Sequence, residues 1–149
     1  MLALVNDPLF IQNIGDRHVR SFADAQQYIE KRILESYDRL GFGMYMVELK
    51  GQGTPIGICG LVKRETLPDV DIGFAFLPAF WSNGYTIESA VAVINYAKDV
   101  LELKRVLGIT SPDNAPSIRV LEKLGLRFER KVMSSEEASE SSLYAVEFA

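Results

Sequence analysis

The sequence has one cysteine and one histidine in 149 residues, and these scarcities argue against several kinds of site. Cys59 cannot form an internal disulfide, and its place in the apolar run 56–61 predicts a buried thiol rather than a nucleophile. His18 has no cysteine or paired carboxylate close by in sequence, so no metal site is expected. We therefore look for chemistry that needs neither a thiolate nor a metal.

Long hydrophobic runs are also missing. The longest apolar stretch, 70–80, is interrupted by Asp71 and Pro78, well short of the roughly 20 residues that span a bilayer. The N-terminal segment lacks the basic region, apolar core and cleavage site of a signal peptide. We expect a cytoplasmic protein with no membrane partner.

Positive charge is in deficit, with 16 basic against 20 acidic side chains and a net charge of −4. No basic stripe is present of the kind that displaces counterions from a nucleic acid, so we expect no nucleic-acid partner. The 48% hydrophobic content is enough for one substantial core. We expect a single domain over residues 1–149.

The first half of the chain shows one helical and three strand-like segments. Apolar residues recur every three or four positions over 21–40, which predicts an amphipathic helix that opens on a Ser21–Asp24 capping box and ends near Gly41. Segments 45–49 and 56–62 flank a glycine-rich turn and predict a hairpin. Alternation over 70–77 predicts a further strand.

The second half alternates helices and strands. A helical stripe follows Gly84, a β-prone segment covers 105–110, and a second helix is expected at about 116–124 with Gly125 as its left-handed cap. Two closing strands, 126–132 and 143–148, flank a polar loop over 134–142. These elements predict an α+β fold with a mixed central sheet flanked by helices.

The segment 77–88, LPAFWSNGYTIE, joins a strand to a long helix and is the strongest candidate for a binding site. The first turn of a helix has free backbone N–H groups and a favourable dipole, so it can hold a pyrophosphate. Gly84 would let the phosphates approach the main chain. The alternative is a turn that uses glycine only for its geometry.

This segment resembles the acyl-CoA loop of the GNAT superfamily of N-acetyltransferases, in the branch that acts on ribosomal-protein N-termini. A second segment, 114–125 (NAPSIRVLEKLG), resembles the downstream motif of the same branch at the expected distance. The resemblance covers most of the chain and implies a mainly antiparallel GNAT-like sheet. It also implies acetyl-CoA as cosubstrate, no metal, and an amine acceptor, either a protein N-terminus or a small molecule.

By the same resemblance, the backbone of Phe76 and Leu77 would contact the acetyl and pantetheine groups, and Asn114 would position pantetheine or the substrate. Asp71 is the candidate general base, at the position of a common family glutamate, and Ser117 is the candidate partner of the CoA sulfur. The remaining cofactor-binding candidates are the pyrophosphate-loop residues Ser82, Asn83, Gly84, Tyr85, Thr86 and Ile87.

Each of these candidates has an alternative role. Asp71 would otherwise bind a loop amide or face solvent, whereas Asn114 and Ser117 would serve as helix caps or polar packing residues. Glu65 is a second, less supported base. Trp81 is expected to anchor the loop by packing.

The chain also departs from the family pattern. Ser82 and Thr86 stand where smaller residues are usual, Leu126 replaces a common phenylalanine, and Leu121 occupies the position of the usual tyrosine acid. The usual first strand is missing from the pattern, which would leave a sheet edge uncovered and either reduce stability or provide a surface for pairing with another chain, as in a homodimer. We therefore expect an N-acetyltransferase, with a noncatalytic acyl-CoA sensor or a protein-interaction module as the alternatives.

Overall fold

The computed structural model describes residues 1–133 and 139–149. Its helices are α1 (Leu2–Val5), α2 (Pro8–Asn13), α3 (Phe22–Tyr28), α4 (Glu35–Leu40), α5 (Tyr85–Asp99) and α6 (Ala115–Lys123), with a π-helical segment at Ile29–Leu34 and a 3₁₀ turn at Pro78–Phe80. Its strands are β1 (Met44–Glu48), β2 (Pro55–Val62), β3 (Asp71–Phe76), β4 (Arg105–Thr110), β5 (Arg127–Met133) and β6 (Glu140–Glu147).

Within the described residues, six strands form one sheet in the order β1-β2-β3-β4-β6-β5. Every neighbouring pair is antiparallel except β3 and β4, which run parallel. The expected α+β fold with a mixed, mainly antiparallel sheet is confirmed. The predicted loop over 134–142 is too long, because β6 begins at Glu140; the rest of that loop, 134–138, lies outside the described residues.

The segment predicted as one helix over 21–40 contains a π-helical stretch. Ser21 and Asp24 form the expected capping box, and Gly41 ends the helix in the left-handed conformation at φ 77°. The apolar positions Ala25, Ile29, Ile33 and Tyr37 are four residues apart, and three such steps overshoot three α-helical turns by about 120°. The wider π turn offsets this drift, since each turn holds more residues.

Helices cover the two faces of the sheet with separate apolar clusters. On one face, α5 contributes Ala90, Val93, Ile94 and Ala97 to a core shared with strand residues such as Leu61 and Ile72. Another cluster joins the N-terminal helices to Ile58, Ala75 and Leu77 of the β2–β3 region. Strand β3 is therefore covered on both sides, although its sequence alternation predicted one face burying large side chains.

Strand β1 forms the edge of the sheet in the described part of the chain, in agreement with the expected absence of a strand before it. The edge is partly covered by α4, because the Tyr37 hydroxyl donates a hydrogen bond to the Met44 carbonyl and the Tyr37 ring stacks on Tyr45. The expected homodimer at this edge stays a prediction. In the described ranges, no helix has the length and apolar content to cross a bilayer.

Two strand glycines give a direct test of the packing. A Cβ on Gly60 would overlap the Gly43 carbonyl oxygen and lie 2.6 Å from the Met44 Cα, whereas a Cβ on Gly73 would meet the flexible Met44 side chain at 3.4 Å. We expect Gly60→Ala to lower the free energy of unfolding by about 2–3 kcal/mol because backbone cannot move aside cheaply. Gly73→Ala should cost much less. Urea denaturation measures both, and equal losses would contradict the β1–β2 packing.

Candidate active site

The two parallel strands of the sheet, β3 and β4, pair at a single position, and we call the space between them beyond that position the cleft. The β3–β4 ladder consists of the Asp71–Leu107 pair, with the Leu107 N–H donating to the Val70 carbonyl at 2.9 Å. Beyond this pair the strands no longer bond to each other. The Leu77 N–H points to β2, where it reaches the Ile56 carbonyl at 2.9 Å. By alternation, the backbone groups of Phe74 and Phe76 point into the gap.

Helix α5 begins directly after the open end of β3, and its first turn is a potential anion site. Gly84 is the N-cap at φ 82° and no side chain caps the helix. The first helical backbone bond runs from the Glu88 N–H to the Gly84 carbonyl at 3.1 Å. The preceding N–H groups, those of Tyr85, Thr86 and Ile87, are therefore the ones that a helix leaves for a ligand or solvent.

The loop before α5 has Ser82 where the family usually has its first glycine. Ser82 takes a left-handed conformation at φ 61° that favours glycine. A Cβ on Gly84 would meet no atom within 4 Å, so the space in front of the helix is open. The space beside Gly84 is therefore open, and Ser82 adds backbone strain to the loop.

Trp81 ties the loop to the strand by a polar contact as well as by packing. Its indole N–H donates to the Phe76 carbonyl at 2.8 Å, and the Asn83 amide donates to the Trp81 carbonyl at 2.9 Å. The Phe76 carbonyl is thus already occupied, which leaves the Phe76 N–H for a ligand in the gap. The packing role expected for Trp81 is incomplete, since its ring is 42% exposed.

Helix α6 follows β4 as α5 follows β3, so the two helices begin at the same end of the cleft. Asn114 is the N-cap, and its Oδ1 accepts a hydrogen bond from the Ser117 N–H at 3.4 Å. The capping role considered for Asn114 is thus present. Both side chains are half-buried. Leu121 is buried against Gly108, so an apolar group fills the position where the family usually has tyrosine.

Asp71 lies at the closed end of the cleft and is 1% exposed. Neither alternative expected for it, a loop amide or solvent, is observed. Its carboxylate instead accepts from the Arg64 Nε–H, at 3.1 Å to Oδ1 and 3.3 Å to Oδ2. Burial raises the pKa of Asp71 to about 6, and the positive charge of Arg64 acts against this rise.

The structure groups the predicted site residues at the two ends of the cleft. Phe76, Leu77 and the loop 82–87 lie at the open end, whereas Asp71 lies at the other end of β3, about 16 Å from Phe76 along the strand. Asn114 and Ser117 lie at the start of α6, which follows β4. Glu65, the second candidate base, is exposed, as is His18. Sequence reasoning missed Arg64, because a basic residue in a loop gives no sign that it pairs with a buried carboxylate seven positions later.

Comparison with known proteins agrees with this architecture. The acetyltransferase (GNAT) domain family matches residues 1–127. The chain therefore belongs to the GNAT acetyltransferase family and is an N-acetyltransferase of the class that uses acetyl-CoA. The expected enzyme class and the suspected family are both confirmed.

Particular relatives agree with the family assignment. The chain is 29% identical to YkkB of Bacillus subtilis over 87% of its own length and 74% of that protein. It is 31% identical to the N-acetyltransferase YnaD of the same organism, over 71% of this chain but only 59% of YnaD. RimL, a ribosomal-protein alpha-N-acetyltransferase in complex with coenzyme A, superposes with a TM-score of 0.83 at 20% identity, covering 98% of this chain and 84% of RimL.

The strained loop yields one prediction. Ser82→Gly should raise the free energy of unfolding by about 0.5–1 kcal/mol, because glycine adopts φ 61° without the steric cost that serine has. The reciprocal change Gly84→Ser should lower it by about 1 kcal/mol, since only its φ of 82° opposes a side chain. Thermal and urea unfolding report both. A destabilising Ser82→Gly would show that the serine side chain holds the loop.

Asp71 should make stability depend on pH. The native pKa of about 6 lies above the ordinary 3.8, so the folded state binds the proton more tightly. The resulting stabilisation is complete below about pH 4 and lost as the pH rises through 6. In Asp71→Asn this fall should be absent, a difference on the order of 2–3 kcal/mol between pH 4 and 7. Parallel stability curves for parent and variant would contradict the raised pKa.

Proposed function

We propose that this protein transfers an acetyl group from acetyl-CoA to a primary amine by direct attack on the thioester, in the cytoplasm. The observation that carries the proposal is the parallel ladder that ends at Asp71–Leu107 and opens toward the uncapped start of α5. A gap lined by backbone groups, with an anion site at its open end, suits an elongated ligand with a diphosphate at one end.

The proposed binding follows from the two ends of the cleft. The N–H groups of Tyr85, Thr86 and Ile87, with those of Ser82, Asn83 and Gly84 nearby, would hold the pyrophosphate. The pantetheine arm would lie along β3, where the N–H of Phe76 is available and the backbone of Leu77 lies at the strand end. Asn114 would contact the arm from α6. The acetyl group, at the far end from the phosphates, would then point toward Asp71.

The chemistry needs a neutral amine and a protonated leaving group. Asp71, through a bridging water, would take the proton of the ammonium group, and the nitrogen would attack the thioester carbon. A C–N bond forms and the C–S bond breaks while backbone N–H groups of β3 stabilise the oxyanion. After attack the nitrogen gives up a second proton, and the Ser117 hydroxyl would hydrogen-bond the departing sulfur and relay that proton to it. Leu121 has no proton to give.

The acceptor is proposed to be a protein N-terminus or a small amine. RimL is named for acetylating a ribosomal protein, and a chimera of spermidine N-acetyltransferase SpeG from Vibrio cholerae and hSSAT shares the fold at a TM-score of 0.77 and 13% identity. One scaffold therefore accepts both classes of amine, because acceptor specificity depends on variable loops rather than on the fold. A screen should include peptides with a free N-terminal serine or alanine and also spermidine.

Calorimetric titration with acetyl-CoA tests the cofactor site. Gly84→Glu should abolish saturable binding, because it places a carboxylate in front of the proposed pyrophosphate position. Gly51→Glu is the matched control: Gly51 has a φ of 84°, a Cβ there also meets nothing within 4 Å, and it lies in the distant β1–β2 turn. Binding that survives Gly84→Glu, or a folded parent that binds no acetyl-CoA, would refute the site.

Release of free thiol in the amine screen then tests transfer. Turnover with a peptide or with spermidine supports the proposed reaction. Saturable acetyl-CoA binding without turnover of any amine would instead favour a noncatalytic acyl-CoA sensor. Absence of both would favour a protein-interaction module that uses the β1 edge.

A further inference from the structure

We propose that Arg64 is a positioning residue for Asp71, which holds the carboxylate at the closed end of the cleft and keeps it ionised where the amine must be deprotonated. This inference rests on the proposed function, because it gives Asp71 its role as base. It adds a residue from the β2–β3 connection, which carries neither of the two sequence motifs.

Arg64 contacts the carboxylate through a single N–H group. The Nε–H lies 3.1 Å from Oδ1 and 3.3 Å from Oδ2, so it is shared between the two oxygens. A two-pronged guanidinium contact would instead direct one N–H to each oxygen. In the shared arrangement Arg64 compensates the charge while both oxygens keep lone pairs that can accept a proton from water or an amine.

The connection itself holds Arg64 in place. The Lys63 ammonium donates to the carbonyls of Leu67 at 2.7 Å and Pro68 at 3.2 Å, and the Leu67 N–H donates to the Arg64 carbonyl at 3.3 Å. Leu67 is buried and anchors the loop against the sheet. Arg64 is therefore held next to Asp71 by a closed loop, with its side chain 32% exposed.

Arg64 is the main charged group that offsets the effect of burial on the pKa of Asp71. Asp71 pairs with Val62 on β2 and with Leu107 on β4, both apolar. The cations that act on it are Arg64, by hydrogen bond and by charge, and Lys63, by charge alone. Burial raises the pKa of Asp71 and these cations lower it. Without Arg64 the pKa of Asp71 would rise further, so that a smaller fraction of the carboxyl would be ionised and able to accept a proton at neutral pH.

A purely structural ion pair would stabilise the fold but would not set the pH dependence of transfer. The test therefore follows the ionisation of Asp71 directly, by NMR of ¹³C-labelled aspartate carboxyls assigned with Asp71→Asn. In Arg64→Gln the midpoint should rise by about one pH unit or more. Arg39→Gln, which removes an exposed cation of α4, should leave the Asp71 midpoint in place and serves as the matched control.

Activity gives the second readout, with whichever peptide or polyamine the amine screen turns over. In Arg64→Gln the acid limb of kcat/KM should move to higher pH together with the NMR midpoint, while acetyl-CoA affinity is retained. An acid limb or a midpoint that stays at the parent value in a folded Arg64→Gln overturns the proposal. A parent protein that binds no acetyl-CoA would refute the proposed function. The NMR midpoint of Asp71 would still test the role of Arg64.

Arg64→Lys tests the positioning of the Asp71 carboxylate separately from the positive charge beside it. It also tests the proposal if Arg64→Gln does not fold. The ammonium keeps the positive charge but lacks the planar Nε–H that reaches both oxygens. We expect an acid limb close to that of the parent with a plateau kcat/KM about tenfold lower or more, because the carboxylate is misplaced. A plateau kcat/KM equal to that of the parent would show that Arg64 does not position the carboxylate and would overturn the proposal.

Discussion

The short parallel ladder between β3 and β4 is the constraint on which the site depends. Because the strands bond at Asp71–Leu107 and then separate, the backbone of β3 is left facing a gap rather than a neighbouring strand. The same divergence places the N-termini of α5 and α6 at one end of the sheet and Asp71 at the other. A longer ladder would satisfy those backbone groups internally and close the cleft.

The open and closed ends of the cleft also differ in their electrostatic environment. At the open end, helix N–H groups supply positive potential to solvent-accessible space without a lysine or arginine. At the closed end, the Asp71 carboxylate is buried among apolar strand neighbours, and the charge of Arg64 is the main influence that opposes the rise of its pKa. Direct acetyl transfer requires both conditions, an anion site for the cofactor and a base whose pKa is near the working pH.

Local contacts explain how the chain tolerates its departures from the family pattern. Ser82 accepts a glycine-like conformation, and the Trp81 indole fixes the loop to the Phe76 carbonyl. Leu121 stands where the family usually has tyrosine. Its side chain is buried against Gly108 and has no proton to donate. At the β1 edge, the Tyr37 hydroxyl satisfies one outward carbonyl. In these places a change in one residue is accommodated by neighbouring backbone rather than by a different fold.

The sequence by itself determined the order of the main elements from residue 21 onward, because apolar periodicity, the Ser21 capping box and the glycines after helices are local signals read within a few residues. It did not predict the short helices Leu2–Val5 and Pro8–Asn13. The motif segments 77–88 and 114–125 located the candidate cofactor site for the same reason. The tertiary structure decided what depends on distant partners: the single-pair ladder, the burial of Asp71, its pairing with Arg64 and the Trp81 tether. Those features arise from which strands meet in the sheet, and neither spacing nor composition encodes that contact.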